Sequence, residues 1–104
     1  MIRFLVLYNR PVDVEAFERH YWEVHIPLAR KLSGLRRYAI SRNVTTLRGD
    51  ESPYLVAELE WDDAAAFQRA FQSPEGQAAG QDVTEHLSRL SPGIRMMTYE
   101  PEDV

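Results

Sequence analysis

Three histidines, His20, His25 and His86, are the side chains of this sequence whose unperturbed charge changes near neutral pH. Two of them fall within Glu15–Tyr38, EAFERHYWEVHIPLARKLSGLRRY, together with Tyr21, Tyr38 and Trp22. His25 sits one turn after Tyr21 and two residues before Pro27. A neutral imidazole there would remove or return a proton, work that few other side chains do unaided. The competing reading is a half-buried histidine at a helix end, where positive charge is favoured. His20 carries the same two readings, and His86 reads as solvated. Tyr38 and Tyr8, at strand ends beside the helix, are placed to donate a hydrogen bond to an oxygen that gains charge. The alternative for each is an ordinary strand tyrosine with its hydroxyl in water. The candidate catalytic pair is His25 with Tyr38; Tyr8, His20 and Tyr21 are the candidate substrate-binding residues. No metal site is predicted. On an α-helix His20 and His25 point about 140° apart, too far to share one ion.

Other chemistry is excluded by what the chain lacks. It has no cysteine, hence no disulfide, thiolate nucleophile or cysteine-held metal. It has no glycine-rich phosphate loop, nucleophile elbow or dinucleotide fingerprint. A net charge of −4, with Lys31 the one lysine, argues against nucleic acid. The apolar run at Ile2–Tyr8 is too short to span a membrane and is followed by no signal-cleavage pattern, so a cytoplasmic location is expected.

The elements that must position these residues follow from periodicity. The 104 residues suffice for one domain, residues 1–104. Ile2–Tyr8 reads as a strand, apolar on both faces. Asp13 caps a helix whose stripe is Phe17, Tyr21, Val24 and Leu28, with a break expected at Pro27 and a glycine cap at Gly34. Leu35–Thr45 and Tyr54–Trp61 read as strands. Asp62 or Asp63 then caps a second helix, which restarts at Ser73-Pro74-Glu75 and is expected to break near Gly80. Ile94–Tyr99 is a last strand. Trp61 is expected in the core; Trp22, off the stripe, is expected to meet a partner chain. The order β-α-β-β-α-β is that of a ferredoxin-like α+β fold: a four-stranded antiparallel sheet with its helices on one face. The uncovered face is apolar along the first strand, which predicts a homodimer packed sheet against sheet.

Tyr8-x-x-Pro11-x-Asp13, Glu15-Ala16-Phe17-x-x-His20-Tyr21-x-x-x-His25-x-Pro27-Leu28-Ala29 and Gly34-Leu35-x-x-Tyr38 resemble the EthD family of dimeric α/β-barrel proteins. Ser73-Pro74-Glu75-Gly76 and Asp82 resemble its second helical region. The resemblance spans nearly the whole chain and implies the same fold and dimer. Related dimeric barrels include cofactor-free monooxygenases, muconolactone isomerases and polyketide cyclases. Muconolactone-type isomerases resemble this chain in a histidine at the position of His25 and a tyrosine near Tyr38. The resemblance implies two alternative functions. One is a cofactor-independent enzyme, an isomerase, cyclase or monooxygenase-like oxidoreductase, acting on a hydrophobic oxygenated metabolite of aromatic, polyketide or lactone-like type. The other is a non-catalytic ligand-binding or accessory protein of a degradation or oxygenase pathway.

Overall fold

The structure, a computed structural model, describes all residues 1–104. Strand β1 (Ile2–Tyr8) leads through Asn9–Asp13 into helix α1 (Val14–His20). The Asp13 side chain accepts a hydrogen bond from the Ala16 amide at 3.1 Å, the cap expected from sequence. The break expected at Pro27 is absent. The helix instead widens into one π turn, Tyr21–His25, and continues as α2 (Ile26–Ala29), with helical backbone angles at both junctions. The reason is local. The Ile26 amide reaches back to the Tyr21 carbonyl, five residues away, so the ladder has already slipped by one residue. Pro27 then falls in the first turn of α2, where its missing N–H and fixed φ suit the chain.

Gly34, at φ +71°, turns the chain toward β2 (Arg37–Ser41). That strand is shorter than the Leu35–Thr45 expected, and Asn43 lies beyond it in the left-handed region at φ +56°. A polar loop leads to β3 (Leu55–Trp61) and, capped by Asp63, to α3 (Ala64–Gln72). Ser73 caps α4 (Pro74–Asp82). No break occurs at Gly80. The helix widens instead into a second π turn at Val83–Leu87, then closes with α5 (Ser88–Leu90) before β4 (Arg95–Tyr99).

The strands form one antiparallel sheet in the order β2-β3-β1-β4. This is the ferredoxin-like arrangement. The register sets Ile2, Phe4, Val6 and Tyr8 opposite Trp61, Leu59, Ala57 and Leu55 on one face. Against that face pack Phe17, Tyr21, Ala70, Ala79 and Leu87 from the helices, giving the core. Trp61 is fully buried and its indole donates to the Ser33 carbonyl at 2.9 Å. In the helix stripe, Phe17 and Tyr21 are buried as expected but Val24 is exposed. The π turn rotates His25 inward where ordinary winding would put Val24. The other sheet face carries Leu5, Leu7, Val56 and Met97, with Arg3 bonded to Glu60 and Tyr99 donating to Glu58. No helix is long and apolar enough to cross a membrane.

Candidate functional site

Between the helices and the sheet lies a cavity of about 250 Å³, of whose sixteen lining residues thirteen are hydrophobic. Phe4, Val6 and Leu59 form its sheet wall; Phe67, Phe71 and Val83 form much of its helix wall. Few polar side chains enter: the imidazole of His25, the phenols of Tyr8 and Tyr38, and the hydroxyl of Thr84. An apolar hollow with a small number of convergent polar groups is the usual form of a small-molecule site.

His25 is anchored from behind. Its Nδ1 lies 2.9 Å from Oδ2 of Asp82, and both side chains are nearly sealed from water. An ionised carboxylate only accepts, so Nδ1 carries the proton and the lone pair of the neutral ring falls on Nε2. Burial pulls the His25 imidazole below its usual range, against the Asp82 hydrogen bond and charge that raise it, while the nearby His20 lowers it further. The ring is thus a neutral base with one free nitrogen, held in the wall of an apolar chamber.

Asp82 serves two more imidazoles. Its Oδ1 lies 2.7 Å from His20 Nε2 and 3.1 Å from His86 Nδ1. Ordinary α-helical winding would set His20 and His25 on opposite edges of the helix, and the structure corrects this; His86 is largely exposed, as expected. The π turn fits one extra residue into the turn, so residues five apart come round to the same carboxylate. His86, one turn after Asp82, keeps half its side chain exposed but is tied to that same oxygen. In the sequence Asp82 stands out only through the family resemblance, which assigns it no role. Its spacing to His86, i and i+4, was the available signal.

The phenols divide similarly. Tyr8 and Tyr38 line the cavity; Tyr21 does not. The Tyr21 hydroxyl sits 2.6 Å from that of Tyr38, so it supports Tyr38 from the core. Burial raises Tyr38 to about 12 and raises Tyr8 and Tyr21 as well, with neighbouring Tyr38 adding to both. All three are therefore neutral hydrogen-bond donors. His20, like Tyr21, stands behind the cavity wall and not in it. Of the five residues singled out from sequence, His25, Tyr38 and Tyr8 converge on the cavity, while Tyr21 braces Tyr38 and His20 bonds the Asp82 that anchors His25.

A four-stranded antiparallel sheet, helices on one face and an apolar cavity between them define a ferredoxin-like α+β domain with an acid-anchored histidine. Residues 9–89 match the model of the EthD domain, and the chain belongs to that family. It is 34% identical, over its full length and 98% of the relative, to an uncharacterized 11.0 kDa protein in the thcB-thcC intergenic region of Rhodococcus erythropolis. It is likewise 34% identical to an ethyl tert-butyl ether D (EthD) family protein of Bacillus halodurans. There the TM-score is 0.85, with 98% of this chain and 99% of that one covered. SnoaB, a cofactor-independent oxygenase of Streptomyces nogalater, shares the fold at a TM-score of 0.68. It is 19% identical, over 99% of this chain and 94% of that one.

Proposed function

We propose that this chain is a cofactor-independent enzyme that takes a proton from an enolisable carbon of a hydrophobic, oxygenated metabolite. The observation that carries this reading is the His25–Asp82 pair opening onto the cavity: Nδ1 fixed, Nε2 free, apolar walls around it. Nε2 accepts the proton. Tyr21 donates to Tyr38, and Tyr38 turns its own proton toward the enolate oxygen as charge develops there. Tyr8 lies in the same wall and orients the ligand. The enolate then takes the proton back elsewhere (isomerisation), attacks within the molecule (cyclisation) or reacts with dioxygen (oxygenation). The likeness to a cofactor-independent oxygenase supports the last of these by fold alone.

Incubation in D₂O with aromatic and lactone-like carbon acids tests the reading without a known product. Deuterium should enter at the acidic carbon, and His25→Ala should slow that exchange by about 10²–10⁴-fold with the fold retained by circular dichroism. Exchange that survives His25→Ala would rule this role out. A second reading, a binding or accessory protein that holds a metabolite without turning it over, draws on the same greasy lining. Saturable binding with no exchange for any bound ligand would favour it.

We also propose that the chain is a homodimer through the uncovered sheet face. Leu5, Leu7, Val56 and Met97 on that face give it an apolar centre, and the paired charges Arg3–Glu60 give it a polar rim.

A further inference from the structure

We infer that His20, Asp82 and His86 form a binding site for a divalent first-row transition-metal ion, on the solvent side of the carboxylate that anchors His25. Four observations converge on it.

The donor set is right. Two imidazoles and one carboxylate, with no thiolate, suit zinc, cobalt, nickel or iron(II) and not the all-oxygen preference of magnesium or calcium. Three protein ligands leave coordination positions for water.

The spacing is close. One ligand atom from each residue lies within 4.8 Å of the others, and the two distances to Asp82 are 2.7 and 3.1 Å. Neighbouring ligand atoms around an ion with bonds of about 2.1 Å stand roughly 3.0 Å apart in octahedral and about 3.4 Å in tetrahedral geometry. The widest gap closes by rotation of the His86 ring, which is free to move because its side chain is 54% exposed.

Support from behind is present as well. Asp82 Oδ2 accepts from His25 Nδ1, so the ligating carboxylate is fixed by a hydrogen bond that leaves Oδ1 to the ion. Finally, there is a way in. His86 faces solvent while Asp82 is 4% exposed, so an ion enters past His86 and comes to rest on a sealed charge. To ligate, His20 Nε2 and His86 Nδ1 must each present a lone pair, so the N–H of each neutral ring moves to its other nitrogen.

The protein stripped with chelator should bind one zinc ion per chain by calorimetry. Cobalt(II) in its place should give visible ligand-field bands. His86→Ala, at a half-exposed position that should not disturb folding, should weaken zinc binding at least tenfold. His20→Ala should do likewise, and zinc should raise the thermal midpoint of the native chain but not of either variant. No saturable binding of either ion would overturn the inference, as would affinity unchanged by both substitutions. These measurements need no substrate, so their failure leaves the proton-transfer reading untouched and its failure leaves them untouched.

Discussion

Asp82 holds three imidazoles on two oxygens, which makes it the organising residue of this molecule. Beside it, the Tyr21–Tyr38 contact makes a prediction about single atoms. Tyr38→Phe strands the fully buried Tyr21 hydroxyl and should destabilise by about 1–3 kcal/mol; Tyr21→Phe leaves the hydroxyl of Tyr38 facing the cavity and should cost about 1 kcal/mol. Urea denaturation orders the two, and the reverse order would mean that the cavity does not satisfy Tyr38. His25 and Tyr38 were legible in the sequence because a histidine before a proline and a tyrosine early in a strand are unusual enough to notice. The role of Asp82 was not, since 57 residues separate it from His25 and only the packing of α4 beside the widened first helix brings them together. The exposure of His86 was legible as well; its bond to Asp82, one helical turn away, was signalled only by their i, i+4 spacing.

Periodicity gave the four strands and their order, and the caps Asp13, Asp63 and Ser73 set the helix starts. What it missed was winding. Both expected breaks, at Pro27 and Gly80, are continuous helix with a π turn nearby, because residue types report poorly on a one-residue slip in the ladder. Two glycines of α4 give opposite predictions. A side chain at Gly76 would stand 2.1 Å from the Ala70 carbonyl and 2.4 Å from the Phe71 backbone, so Gly76→Ala should destabilise by at least about 1–3 kcal/mol. A side chain at Gly80 meets nothing within 4 Å, so Gly80→Ala should stabilise by about 0.5–1 kcal/mol while adding a methyl group where the cavity lies. Thermal unfolding separates the pair, and ligand affinity should fall in the second.

Helix α1 is tied to the β2–β3 connection by Glu18, which accepts from Arg42 at 2.6 Å and from Tyr54 at 3.0 Å. Burial opposes ionisation of Glu18, but the hydrogen bonds from Arg42 and Tyr54 prevail and hold its carboxyl below the usual range. A depressed carboxyl contributes stability above its unfolded value, and that stability is lost as pH falls through the folded one. Arg42→Ala should therefore flatten the acid limb of a stability–pH curve below about pH 4.5; an unchanged limb would show that the pair contributes nothing.

At the scale of the whole molecule, the sheet is covered on one face alone, and its bare side is where a second copy would fit. Light scattering at micromolar concentration should report a dimer, and Leu5→Arg, which sets a charge in the middle of that face, should give a monomer with an unchanged circular dichroism spectrum. A monomeric native chain would sink the proposal. The fold class was readable from the order of elements, and so was a hollow between the first helix and the sheet; the rest of its lining was not, since those walls are drawn from every layer of the domain.

Each π turn amounts to an ordinary helix carrying one surplus residue, and a surplus can be excised. Removing exposed Trp22 should let the first helix rewind to its common pitch, swinging His25 away from its carboxylate while the backbone stays helical. A lineage could thus silence this site, or acquire it, through the gain or loss of a single codon.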